Sequence, residues 1–131
     1  MKAVCLNLLL LLLAGCATGI GGAGGTNRAT IYIYREVGGV NNPYPKAVLV
    51  DGRTAGELTA NGYLAVVVKP GEHVISSPAA NPASVTLIAE RGKTYYVSQE
   101  IIPTPPTFHV LLNRVNETRG SQSVARARRL Y

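Results

Sequence analysis

The chain has 131 residues, 13 Lys and Arg against 7 Asp and Glu, and a formal net charge of +6. That length supports one domain with its own core. Two cysteines, two histidines and a single aspartate exclude a disulfide scaffold and offer little for a metal centre.

Residues 1–15 read as an export leader. Lys2 precedes residues 3–13, which are apolar apart from Asn7. The run is shorter than the roughly 20 residues of a membrane-spanning helix. It closes in Leu13-Ala14-Gly15-Cys16, which resembles the lipobox of bacterial lipoproteins. The resemblance implies a diacylglyceryl group on the Cys16 thiol, cleavage just before it, and acylation, palmitate-like, of the new amino terminus. Ala17, where an Asp would mark retention at the inner membrane, points to the outer membrane. The plainer alternative is a secretory leader with an incidental cysteine. Under the lipobox reading Cys5 leaves with the leader and Cys16 is consumed by lipid. The exported domain then has no thiol, and loss of Lys2 leaves it at +5.

Residues 16–27 form the lipidated cysteine and a glycine-rich tether, with Gly19, Gly21, Gly22, Gly24 and Gly25. Such composition reads as a flexible linker. A phosphate-cradling loop is not expected, since no strand precedes it and no Gly-Lys-Ser/Thr follows.

Residues 28–115 predict an all-β domain: a small antiparallel β-sandwich of seven to eight strands. Residues 29–35 are rich in β-branched and aromatic side chains. Residues 47–50 and 54–58 flank Asp51-Gly52, a two-residue hairpin signal in which both positions need positive φ. Residues 63–68 form an apolar run expected to be covered on both faces. Pro70-Gly71 then turns the chain into residues 73–76. Residues 84–90 and 94–99 flank Arg91-Gly92-Lys93, a second hairpin signal, and residues 108–115 are the last strand. The prolines at 43–45, 78–82 and 103–106 predict loops, because proline cannot donate to a ladder. The segment 103–107 is expected to be stiff and exposed.

Residues 116–131 predict a short C-terminal helix or basic tail. Asn116 or Thr118 could cap it, and Val124, Ala127 and Leu130 fall on one face at spacing three. Arg119, Arg126, Arg128 and Arg129 lie within eleven residues that contain no acid.

The order of short motifs resembles a family of small bacterial lipoproteins known only as domain of unknown function 2846. The pieces are Ala29-Thr30-Ile31-Tyr32-Ile33-Tyr34-Arg35, Val48-Leu49-Val50-Asp51-Gly52, Gly56-Glu57-Leu58, Gly62-Tyr63, Pro70-Gly71-Glu72-His73 and Gly92-Lys93-Thr94-Tyr95-Tyr96-Val97. The Pro-Gly-x-His turn is also similar to that of PEGA-type surface modules. Both resemblances imply an envelope β-sandwich and supply no catalytic residues. The 103–106 segment and the basic tail have no place in the family pattern.

No residue pattern announces a reaction. Asp51 is explained by its turn, and the six glutamates are scattered. His73 and His109 lack a third ligand for a metal, and no Gly-x-Ser-x-Gly is present. The expectation is therefore no enzyme, no metal and no cofactor beyond the lipid on Cys16. Two candidate contact groups remain. Tyr32 and Tyr34 share one face of their strand and could form an aromatic platform for glycan or peptide, against the plainer reading of ordinary half-buried strand tyrosines. Arg119, Arg126, Arg128 and Arg129 could meet an anionic surface such as lipid headgroups, lipopolysaccharide or peptidoglycan carboxylates, against a solvated tail with no partner. Nucleic acid is not expected for an exported, lipidated domain. The sequence thus points to an envelope lipoprotein on the periplasmic side of the outer membrane, a non-enzymatic binding or structural module. The alternative is an accessory or inhibitory subunit docking on an envelope protein complex. A cell-wall hydrolase ranks third and would need an acid pair in a cleft.

Overall fold

The computed structural model describes residues 27–36, 44–79 and 81–131. The leader, the lipobox residues Leu13, Ala14, Gly15 and Cys16, and most of the tether lie outside the described residues. So does part of the first proline segment.

The described chain runs β1 (Ala29–Arg35), β2 (Lys46–Val50), β3 (Arg53–Leu58), β4 (Gly62–Val68), β5 (Gly71–Ser77), β6 (Ala83–Ala89), β7 (Thr94–Thr104), β8 (Thr107–Val115), α1 (Glu117–Arg126) and β9 (Arg128–Arg129). One sheet has the order β8-β7-β1-β4-β9 and the other β3-β2-β5-β6. The fold is an all-β sandwich, with one departure from expectation. The larger sheet is mixed rather than antiparallel, because β1 runs parallel to β7 and β4 parallel to β9.

Alternation builds the core. Ala29, Ile31 and Ile33 point inward from β1, Leu64 and Val68 from β4, and Tyr95 and Val97 from β7. They meet Val48, Val50, Leu58, Ile75, Leu87 and Ala89 from the facing sheet. Asp51 and Gly52 have φ of 52° and 78° between the paired residues Val50 and Arg53. The first hairpin therefore has its expected two-residue turn.

A buried polar network joins the two sheets. Arg35 is 4 % exposed. Its Nη2 donates to the Leu58 carbonyl at 2.5 Å and to Gln99 Oε1 at 2.8 Å, and its Nε donates to the same Oε1 at 2.9 Å. Gln99 Nε2 donates to Ser77 Oγ at 3.0 Å, and Ser77 Oγ donates to the Ala47 carbonyl at 2.8 Å. Strands β1, β7, β5, β3 and β2 are thereby tied at one end of the sandwich. Burial holds the Arg35 pKa below its ordinary value.

Four local expectations are corrected. Residues 84–90 and 94–99 do not form a hairpin: β6 and β7 belong to different sheets, and Arg91-Gly92-Lys93 carries the chain from one sheet to the other. Of residues 103–106, only Pro105-Pro106 forms a turn, the exposed two-residue connection to β8; Pro103 and Thr104 lie in β7, with Pro103 opposite Phe108. The pairing of β1 with β7 ends at Ser98, so the far part of β7 has one open edge where a missing N–H leaves no ladder bond unmade. The apolar run in β4 is covered on one face only, and Val67 is 60 % exposed. The tail helix ends at Arg126, with Ala127 extended as its C-cap. Ala127 and Leu130 therefore lie outside the helix, and the spacing of three does not describe one helical face.

Candidate functional site

The outer face of the larger sheet carries the tyrosines and Arg129, which the C-terminal segment brings together, while Arg128 pairs with Gly62 and lies on the other side of the strand with Leu130. Asn116 caps α1 by accepting the Arg119 N–H at 2.9 Å. The helix lies across β7 and β1, and its one buried residue is Gly120, over the ring of Tyr96. Beyond the helix, Arg128 N–H donates to the Asn61 carbonyl at 2.8 Å and Leu130 N–H to the Tyr63 carbonyl at 2.9 Å. Leu130 packs against the core beside Gly62. The end of the tail is thus paired into the sheet through β9.

The register sets the neighbours. Tyr32 stands opposite Tyr96, Tyr34 opposite Tyr63, and Tyr63 opposite Arg129. Paired positions share a face, so Arg129 lies beside Tyr63. The Tyr32 ring stacks on Tyr96 at 5.4 Å and 14°, and meets Tyr63 at 5.8 Å and 59°. Tyr96 is buried under the helix, and that burial, with Tyr32 and Glu117 nearby, pushes its hydroxyl pKa up.

Tyr34 corrects the platform reading. It is 1 % exposed and cannot present a surface. Its hydroxyl lies next to Ser123 without a regular hydrogen bond, while Ser123 donates to Glu36 Oε1 at 2.5 Å. Burial raises the Tyr34 pKa above its ordinary value. The accessible strip is instead Tyr32 and Tyr63, half-buried, continued by Val67 along β4. Tyr63 went unmarked because its nearness to Tyr32 is set by strand pairing between distant segments.

Arg119, Arg126, Arg128 and Arg129 are all exposed. Arg129 Nε donates to the Tyr131 carbonyl at 3.0 Å. Among the described residues none of the four forms an ion pair. Arg126, Arg128 and Arg129 gather at the end of the sandwich where β1 finishes and β4 begins, whereas Arg119 lies farther back along the helix. There Arg119 borders a groove of about 300 Å³ lined also by Ser98, Glu100, Asn113, Arg114 and Asn116.

One pairing escaped sequence reading altogether. Asp51 Oδ2 meets His73 Nδ1 at 2.5 Å, Asp51 Oδ1 accepts the Val74 N–H at 2.9 Å, and His73 Nε2 meets the Lys69 carbonyl at 2.6 Å. Both ring nitrogens face acceptors, so the imidazolium satisfies both contacts. The hydrogen bond with Asp51 raises the His73 pKa, and the same bond lowers that of Asp51. With both nitrogens occupied, the pair fastens two turns and leaves no ring nitrogen for a substrate. Among the described residues there is no group of three or more metal-ligating side chains, and no helix is long and apolar enough to cross a membrane.

Residues 25–110 match the family described as protein of unknown function (DUF2846). The chain belongs to this family. No curated protein and no solved structure gives a significant match. The DUF2846 match ends inside β8, so α1, β9 and all four tail arginines lie beyond it.

Proposed function

We propose that this DUF2846 protein is a lipid-anchored, non-enzymatic module of the bacterial cell envelope. It is held through acylated Cys16 on the periplasmic side of the outer membrane, and its C-terminal end binds the anionic glycan-peptide polymer peptidoglycan. The observation that carries the reading is the placement of Arg129 beside Tyr63, with the Tyr32 ring adjoining and Arg126 and Arg128 close in sequence. Tyrosine rings offer apolar faces to sugars while keeping a polar tip. Guanidinium groups offer paired donors to carboxylates. Exposed arginines that form no ion pair among the described residues keep their charge available to a polyanion.

A second reading, docking on an envelope protein, has its own support. β6 is an edge strand without a charged residue, and its Ile88 is 66 % exposed. A hydrolase finds less support, because the groove beside α1 is lined by one acid, Glu100.

The test uses the full chain in detergent micelles, sedimented with purified peptidoglycan. Binding should weaken steeply with salt. Changing Arg126, Arg128 and Arg129 to Ser should remove most of it, and the side chains are exposed enough that folding should survive. Tyr63→Ala should weaken it as well. Salt-insensitive binding that survives the triple change would remove the C-terminal end as the contact. The anchor is tested by Cys16→Ser, which should abolish lipid labelling; unchanged labelling would sink that part.

A further inference from the structure

The end of the sandwich opposite to Arg128 and Arg129 has a charge pattern of its own. Four segments meet where β1 begins. The Arg28 carbonyl accepts the Gly92 N–H at 2.9 Å, and Thr30 N–H donates to the Lys93 carbonyl at 3.1 Å. Ala29 stands opposite Val68, which places Lys69 alongside. His73 contacts the Lys69 carbonyl and the Asp51 carboxylate together, which draws the β2–β3 turn and Arg53 to the same end.

The rim so formed holds Arg28, Arg53, Lys69, Arg91 and Lys93, all exposed. Its acids are Asp51, Glu72 and Glu90. Two of these are engaged: Asp51 by His73 and the Val74 N–H, and Glu90 by Lys93. Arg28, Arg53, Lys69 and Arg91 form no ion pair among the described residues. Four unpaired cations therefore stand against Glu72.

We propose that this rim docks on an anionic lipid surface. The inference rests on the lipid-anchor reading, since it takes Cys16 to be in the membrane. Eleven residues separate Cys16 from Arg28, a reach of at most about 40 Å when fully extended. The rim is where the chain from that anchor joins the fold, so it is the part of the domain closest to the lipid along the chain. Each Lys or Arg brought to an anionic bilayer strengthens association about fivefold, and the attraction fades within about 8 Å at physiological salt. The seven residues of β1 hold the two basic ends about 20 Å apart. With the rim on the headgroups, Arg128 and Arg129 face away from the membrane, toward whatever lies beyond it. Two basic ends on one small domain then have two different anionic partners.

The test is a lysine footprint of the full lipidated chain. It is reconstituted into vesicles of phosphatidylcholine alone or phosphatidylcholine with phosphatidylglycerol, and amine acetylation is read by mass spectrometry. Lys69 and Lys93 report the rim, and Lys46 reports the opposite end. Phosphatidylglycerol should slow acetylation of Lys69 and Lys93 several-fold, high salt should restore it, and Lys46 should be unaffected. Arg28→Gln, Arg53→Gln and Arg91→Gln together should remove the protection of Lys69 while thermal unfolding stays unchanged. Equal acetylation in the two vesicle types, or protection of Lys46 instead, would overturn the proposal. The wild-type lipid and salt comparison needs no variant, so a misfolded mutant cannot hide the answer. The mass of the Cys16 peptide is read in the same experiment. A missing lipid there would sink the anchor, while the protection pattern would still judge the rim.

Discussion

Gly120 sits on the ring of Tyr96, and a β-carbon at that position would overlap the ring. This contact sets how closely α1 approaches β7. It is the one point where the helix buries a residue, so the close packing of the helix on the sheet depends on it. Gly120→Val should cost about 1–3 kcal/mol through overpacking. That corresponds to a fall in Tm of roughly 4–8 °C per kcal/mol for a domain of this size. Thermal unfolding checks it, and an unchanged Tm would mean that the helix does not pack on Tyr96.

The Asp51–His73 pair should give a pH signature. The folded pKa of His73 lies above its ordinary 6.5, so its contribution is complete below that value and is lost as pH rises through the raised one. The folded pKa of Asp51 lies below its ordinary 3.8, so its contribution is complete above that value and is lost as pH falls through the lowered one. Both are present together between 3.8 and 6.5. The Asp51 side chain is 47 % exposed, which screens the pair to within about 1 kcal/mol. The urea midpoint should therefore drop modestly between about pH 6 and about pH 9, and His73→Gln should flatten that drop. An identical pH profile in the variant would show that the pair contributes nothing.

Arg35 offers a sharper test of the cross-sheet network. Arg35→Met leaves Gln99 Oε1 and the Leu58 carbonyl without their buried donor, at a cost of about 3 kcal/mol. Replacing the linked side chains together, as Arg35→Met, Gln99→Leu and Ser77→Ala, should recover part of that loss, since an apolar cluster strands fewer buried side-chain groups. Denaturant unfolding of the single and triple variants separates the two effects. A triple variant no more stable than Arg35→Met alone would refute the recovery.

Gly52 tests the first hairpin. A β-carbon there meets nothing within 4 Å, yet φ is +78°. Gly52→Val should therefore cost about 1 kcal/mol or more purely through the backbone, whereas Gly52→Asn should be nearly neutral. Equal melting of Gly52→Val and wild type would contradict the turn geometry.

What the sequence disclosed follows from the range over which each signal acts. Asp51-Gly52 and the apolar strand segments are local, and both were legible. The Tyr63–Arg129 pairing, the Gly120–Tyr96 contact and the Asp51–His73 pair join residues far apart in the chain, and no local pattern encodes them. Pro103 misled because its loop signal is local while its tolerance depends on the distant end of β1. Leu130 misled because its apolar character suits a helix face and a core contact just past an edge strand equally. Arg35 reads as the charged end of a strand, and only the facing sheet turns it into a buried pin.

The most direct test places a photo-crosslinking residue at Arg129 or at Arg91 in the full chain and irradiates living cells. The two-ended arrangement expects peptidoglycan fragments on the probe at Arg129 and lipid on the probe at Arg91. Lipid on both probes, or peptidoglycan on Arg91 with lipid on Arg129, would contradict it.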